Sequence, residues 1–162
     1  TSNIPAASSG KVASKVTVQR FALDVDFYLT TFTRQVLALG VHERELQSAQ
    51  IEEGELFRLG GTRTLRGYRE NQFIGSRVAW SNTEYRFLLA RRSFIYGFLD
   101  AGYYLRTADV VRSIPQSDGF RYGYGIGFQL ETVLGNLGVS FALGQGDTFG
   151  TGKIHFGLIN EF

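Results

Sequence analysis

Apolar and polar residues alternate along most of this chain. From about 17 to 29 the odd positions Phe21, Leu23, Val25, Phe27 and Leu29 are apolar, and their even neighbours Arg20, Asp24 and Asp26 are charged. A period of two predicts a strand with one greasy and one wet face. Ahead of Arg20 the phase reverses, with Val12, Val16 and Val18 on even positions, which predicts a bulge or strand boundary near Arg20. A second strand is predicted over 34–45, with Leu37, Leu39 and Val41 against Ala38, Gly40, His42 and Arg44. Further strands follow over 75–89 and, past a turn at Arg91-Arg92, from Ile95 to Arg106. The clearest alternation sets Phe120, Tyr122, Tyr124, Ile126, Phe128 and Leu130 against Arg121, Gly123, Gly125, Gly127, Gln129 and Glu131. A tight turn near Gly135-Asn136 leads to a strand over 137–144, and the last strand carries Ile154, Phe156, Leu158 and Phe162 on its apolar face.

Those are seven strands. Their length of about ten residues, with alternately short and long connections, fits a membrane barrel, whose strands need ~9–11 residues each. A soluble sandwich also alternates, but its strands average about 5–6 residues. Bacterial single-chain barrels have even strand counts from eight upward. Either residues 12–18 form a separate strand of a small closed barrel, or the chain is part of a larger one. Residues 1–16 read as an irregular lead-in or partial strand, and 17–162 as the barrel segment. Residues 46–71, with Gly54, Gly60, Gly61, Gly67 and many charges, read as one long loop, a length that usually signals function.

Composition agrees. Among 162 residues there are 20 Gly, 14 Phe and 8 Tyr but 2 Pro, which suits long strands better than helices. The absence of Cys removes disulfides, thiolate metal sites and cysteine nucleophiles. A net charge of +2, scattered along the chain, does not suggest a nucleic-acid surface. No apolar run nears the ~18 residues of a membrane helix, a test that is blind to barrel strands. No charged start leads into an apolar segment, and the chain opens Thr-Ser-Asn without any Met, so a mature or excised piece of something longer is expected.

The candidate chemistry is electrostatic. Arg66 lies in the glycine-rich loop, while Glu84 and Asp100 lie on the polar faces of two successive strands. A guanidinium presents five donors in a planar fork and can bridge two carboxylates, which would draw the loop into a barrel lumen. The plainer reading is an arginine at a surface hairpin tip with both carboxylates solvated. Gly123, Gly125 and Gly127 either leave room for a bulky element against the wall or let the strand bend. Their Gly-x-Gly-x-Gly spacing within a strand is not a dinucleotide fingerprint. His42 and His155 lack paired ligand spacing, so no metal site is expected. Ser140, in Gly138-Val139-Ser140-Phe141-Ala142, lacks the final Gly of a nucleophile elbow and reads as a small inward residue. Glu84 with Asp100 could form an acid/base couple, but no substrate cleft is implied, and no enzyme activity is expected.

Several segments together carry a family resemblance. Gly60-Gly61-Thr62-Arg63-Thr64-Leu65-Arg66-Gly67-Tyr68 is similar to the end of the long sixth extracellular loop of BamA-type barrels, the bacterial surface antigens. Ser81-Asn82-Thr83-Glu84-Tyr85-Arg86-Phe87 resembles the strand that follows, and Phe98-Leu99-Asp100-Ala101-Gly102 the Phe-x-Asp-x-Gly strand after it. Tyr122 to Phe128, Leu134-Gly135 and the terminal segment ending in Phe162 occupy the expected places. The resemblance implies an all-β fold, an antiparallel transmembrane β-barrel portion of about seven strands of a sixteen-stranded barrel. It implies a bacterial outer-membrane location and assembly or insertion of β-barrel proteins, or polypeptide translocation, without cofactor or nucleotide. The implied partners are outer-membrane lipid, client outer-membrane proteins, N-terminal POTRA domains and the first half of the barrel. The implied site is a loop-to-lumen pin of Arg66, Gly67, Tyr68, Glu84 and Asp100, with Phe156, Leu158 and Phe162 as the C-terminal strand signal. The last strand would contribute to a seam that opens to template clients. A self-closed eight-stranded structural or adhesion barrel and a two-partner secretion pore are the alternatives.

Overall fold

The computed structural model describes residues 17–48, 51–109, 112–133 and 135–159. Nine strands follow in chain order: β1 (Val18–Phe32), β2 (Gln35–Ser48), β3 (Phe57–Leu59), β4 (Phe73–Gly75), β5 (Arg77–Leu88), β6 (Phe94–Arg106), β7 (Ser117–Thr132), β8 (Gly135–Gly144) and β9 (Lys153–Ile159). Seven of them form one antiparallel sheet in the order β1-β2-β5-β6-β7-β8-β9, and β3 pairs with β4 in a separate ribbon. The fold is all-β, as the alternation predicts. Strands of 15 residues in β1 and 16 in β7 exceed what a sandwich uses and suffice to cross a bilayer at a tilt.

Among the described residues the sheet is open. β1 pairs with β2, β9 pairs with β8, and the two outer strands do not meet. The small self-closed barrel is therefore not what these strands form.

The two faces of the sheet have opposite chemistry. Ile126, Phe156, Phe27 and Leu99 point outward and are each more than half exposed, at 68%, 69%, 55% and 53%. The buried apolar cluster of Leu59, Leu65, Tyr68 and Val78 lies on the other face, where residues 51–76 fold over the inside of β5 and β6. Phe57, Phe73, Trp80 and Tyr104 complete it. A water-soluble sandwich would bury its Phe/Ile/Leu face against a second sheet. Here that face is bare, which is the arrangement of a wall whose outside is solvated by lipid.

Register adds a second regularity. The inner residues Tyr96, Phe98 and Asp100 of β6 stand directly opposite Gly127, Gly125 and Gly123 of β7, which in turn oppose Ser140, Ala142 and Gly144 of β8. A column of large side chains thus lies beside a two-strand trough of small ones.

Three local expectations need correction. No bulge interrupts β1 at Arg20: pairing runs unbroken from Val18↔Ser48 to Thr30↔Val36, and the register slips between Thr30 and Phe32 instead. The apparent phase change drew on Val12 and Val16, which lie outside the described residues. The β7–β8 hairpin turns earlier than Gly135-Asn136, because both residues already pair in β8, with Thr132↔Gly135 as the closing pair. The segment 46–71 is not all loop. β2 runs to Ser48, a 3-10 turn spans Glu53–Glu55, and Phe57–Leu59 forms β3. Phe162 and the lead-in 1–16 lie outside the described residues.

The outward positions Ile154, Phe156 and Leu158 of β9 alternate with Lys153, His155 and Gly157. Single cysteines placed along 153–158 should react in a two-residue rhythm, the even positions with a lipid-phase label and the odd ones with a water-phase label. Uniform reaction with the water-phase label would be incompatible with this wall.

Candidate functional site

The loop that carries Arg66 is organised by its own sequence. Gly60 and Gly61 adopt φ of 116° and 99°, conformations open to glycine. Gly60 N–H donates to Thr64 Oγ1 at 2.9 Å, and Gly61 N–H donates to the Leu65 carbonyl at 3.0 Å. Thr62 donates through both its backbone N–H and its hydroxyl to Glu70 Oε1, at 2.7 and 2.8 Å. These bonds fold 60–70 into a tight knob whose tip, Leu65-Arg66-Gly67-Tyr68, is buried. Asn82 on the inner face of β5 donates to the Thr64 carbonyl at 2.8 Å and fixes the knob against the wall.

At that tip the Arg66 fork closes on two carboxylates. Nε and Nη2 donate to Oδ2 and Oδ1 of Asp100, both at 2.7 Å, and Nη1 donates to Glu84 Oε1 at 2.6 Å. The Arg66 backbone N–H also donates to Asp100 Oδ2, at 3.0 Å. Glu84 Oε2 accepts from Arg86 Nε at 2.8 Å, so both of its oxygens are engaged. Asp100 is fully buried and Arg66 is 5% exposed. The two carboxylates reach one arginine because Asn82 pairs with Asp100 and Glu84 pairs with Phe98, which sets them diagonally on β5 and β6. The guanidinium carbon lies 3.7 Å from the Phe98 ring centre and 5.6 Å from that of Tyr96, so aromatic faces enclose the charge. Burial on its own would lower the arginine's proton affinity. The hydrogen bonds and charge of Asp100, with the charge of Glu84, outweigh it and raise that affinity above the usual arginine value.

The neighbouring residues show why the tip must be small and the wall hollow. Gly67 has φ of 93°, and a Cβ there would lie 2.7 Å from the backbone of Leu143 and Gly144. A Cβ at Gly123 would overlap the Arg66 carbonyl oxygen. Gly125 and Gly127 have a different use: a Cβ at Gly125 would overlap the Phe141 carbonyl oxygen of β8 and press on Phe98, and one at Gly127 would strike Tyr96, the two rings that flank the guanidinium. The stripe therefore makes room for the loop at Gly123, for the close approach of β8 and one aromatic support at Gly125, and for the second support at Gly127. The Tyr68 hydroxyl donates to the Tyr122 carbonyl at 2.9 Å and accepts from Gln145 N–H at 3.0 Å, tying the tip to β7 and to the loop after β8.

His155 is the residue that sequence reasoning missed. From β9 its Nε2 accepts the Gly67 N–H at 3.1 Å, and its Nδ1 lies 3.4 Å from Thr62 Oγ1. With Nε2 as acceptor the neutral ring carries its proton on Nδ1, facing Thr62, whose hydroxyl donates onward to Glu70. A test for metal-ligand spacing could not find this contact, which joins residues 88 apart in the chain. Its only early signal was a histidine on the wet side of an otherwise apolar strand. His42 is placed elsewhere, with Nδ1 2.8 Å from Asp24 Oδ1 and its ring stacked on Trp80. Ser140 is buried on the inner face. Among the described residues no cluster of three His, Asp or Glu side chains could hold a metal ion. In the loop before β9, Asp147 is held below the usual carboxylate range by Lys153, whose Nζ donates to it at 2.5 Å.

Enlarging Gly123 tests the fit between loop and wall. Gly123→Leu should displace the loop and expose the buried Arg66 to trypsin in the folded protein. Gly138→Ala, which meets nothing closer than 3.7 Å, should leave the cleavage pattern unchanged. Equal protection in both variants would mean that the loop does not rest on Gly123.

Comparison with known proteins places the chain in a family. The chloroplastic outer envelope protein 39 of Arabidopsis thaliana is 31% identical over 111 residues, covering 65% of this chain and 30% of that protein. The chain thus spans less than a third of that relative's length. A family model described as the Omp85 superfamily domain matches residues 6–162, nearly the whole of the chain, and the chain belongs to that superfamily.

Proposed function

We infer that this chain is the C-terminal portion of a BamA-type barrel that assembles β-barrel proteins into, or passes polypeptides across, an outer membrane. The observation that carries this reading is the closed fork of Arg66 on Asp100 and Glu84, inside a wall whose outer face is apolar. A barrel that only had to span a membrane would not need a buried ion triad at a loop tip. Buried charges are costly and survive only when each has its partners. Here they hold a polar loop in the space that a channel or a client would otherwise use. The role is non-enzymatic: both Asp100 oxygens and both Glu84 oxygens are taken by arginines, which leaves no free acid/base couple. Outer-membrane lipid, client proteins, POTRA domains and the other half of the barrel are the partners this reading requires. The membrane is a bacterial outer membrane or its chloroplast counterpart, the envelope in which the relative's name places it.

In the full-length protein, Arg66→Ala and Asp100→Ala should each destabilise the folded barrel by about 3–5 kcal/mol, the range for breaking one side of a buried pair. Both should impair client assembly. The double variant should cost far less than the sum, read by heat-modified gel mobility in a double-mutant cycle. Arg63→Ala, at an exposed position with no ion pair among the described residues, should do little. Additive losses for Arg66 and Asp100 would show that the two do not act together, and the reading would fall.

A further inference from the structure

The outer wall has a dent. An apolar cleft of about 550 Å³ opens on the lipid-facing side of β5–β8, lined by Tyr85, Ile95, Gly97, Ile126, Phe128 and Phe141. Across the sheet Tyr85, Gly97, Ile126 and Phe141 form one row, and Phe87, Ile95, Phe128 and Val139 form the next towards the short turns. Gly97 is the missing side chain in the first row. Nothing local requires glycine there: its φ is not positive, and a Cβ would meet only the Gly125 carbonyl, at 4.0 Å. Glycine inside a strand is destabilising relative to alanine. The hollow is thus maintained against local preference.

The rim below the cleft is cationic. The β5–β6 turn carries Arg91 and Arg92, both exposed. Arg34, in the β1–β2 turn, stands beside it, since its carbonyl accepts Leu88 N–H at 2.7 Å. The acid nearest these three among the described residues is Glu131, 3.7 Å from Arg92 and itself half exposed. Gly97 lies five residues beyond Arg92, or at most roughly 17 Å at about 3.4 Å per strand residue. One leaflet of a ~30 Å hydrocarbon core has a comparable depth. A phospholipid with its phosphate at the arginines therefore has the end of one acyl chain at Gly97.

We propose that this cleft and rim form a binding site for a single anionic phospholipid, its headgroup at Arg91, Arg92 and Arg34 and one acyl chain seated in the hollow at Gly97. The apolar lining selects a chain over any polar ligand, and the excess of positive charge selects a net-negative headgroup over a zwitterionic one. Each arginine engaged is worth about five-fold in attraction to an anionic surface.

The test uses the full-length protein in phosphatidylcholine vesicles containing a trace of either phosphatidylglycerol or phosphatidylcholine, with a photoreactive group near the end of one acyl chain. Crosslinked residues are mapped by mass spectrometry. The phosphatidylglycerol probe should label the row of Gly97, Ile126 and Phe141 at least several-fold more than the phosphatidylcholine probe. Replacing Arg91 and Arg92 with Gln, at an exposed turn, should remove that preference. Gly97→Leu should abolish labelling of the row by both probes while leaving labelling of Phe21 and Val25 on β1 unchanged. Equal labelling by the two probes in the unaltered protein, labelling spread evenly over the outer face, or an unchanged pattern in Gly97→Leu would each overturn the proposal. If Gly97→Leu does not fold, the arginine variant decides on its own.

Discussion

The buried Arg66 guanidinium is the constraint around which the inside of this sheet is arranged. Its charge sits where water cannot screen it, and an unpaired ion there would cost several kcal/mol. Three of its donors and the residue's own backbone N–H meet carboxylate oxygens, which offsets that cost. The geometry suits arginine and not lysine, because a planar fork can meet Asp100 side-on and still present Nη1 to Glu84 on the next strand. Once the fork is placed, its neighbours have little freedom. The Arg66 carbonyl must pass over Gly123, Gly67 must turn with a positive φ against the backbone of β8, and Phe98 and Tyr96 must flank the charge. The small residues of β7 and β8 are the complement of that crowding, set strand by strand by the register.

The same period-two alternation serves both faces. Each strand commits its odd or even set to lipid and the other set to the interior, and a one-residue slip would exchange them. Such a slip would carry Asp100 into hydrocarbon and Leu99 into the ion site. The apolar outer face and the buried triad therefore specify the same register independently. That agreement between levels is what makes a register unique.

Legibility from sequence followed the range of the interaction. Strand identity is local and repeats every two residues, so all seven main-sheet strands could be read from the alternation. Arg66, Glu84 and Asp100 could be singled out because each sits at a telling place: an arginine among loop glycines, and two carboxylates on matched wet faces. The β3–β4 ribbon could not, since Phe57–Leu59 and Phe73–Gly75 are three residues each, too short for a period. The partners of Gly125 and Gly127 were hidden because a glycine stripe does not say which neighbour fills its space. His155 was judged by ligand spacing, a test along the chain, whereas its partner Gly67 is reached only through the fold. Near Arg20 the change of phase comes from Val12 and Val16, outside the described residues, while the pairing of β1 passes Arg20 unbroken.

The contact of His155 with the loop bears on the edge of the sheet. Among the described residues β9 covers Lys153–Ile159 and has a single strand neighbour in β8. An edge strand with one row of ladder bonds is the part of a sheet most open to exchange with another chain. The loop grips this strand from inside, through the Gly67 N–H on His155 Nε2 and the Thr62 hydroxyl beside His155 Nδ1. Gly67 follows Arg66 directly, so the ion triad and the hold on the edge strand belong to one rigid tip. Anything that frees the arginine also removes the backbone donor from β9. The loop contact thus adds to the ladder that β8 provides along β9, and links that strand to the ion triad.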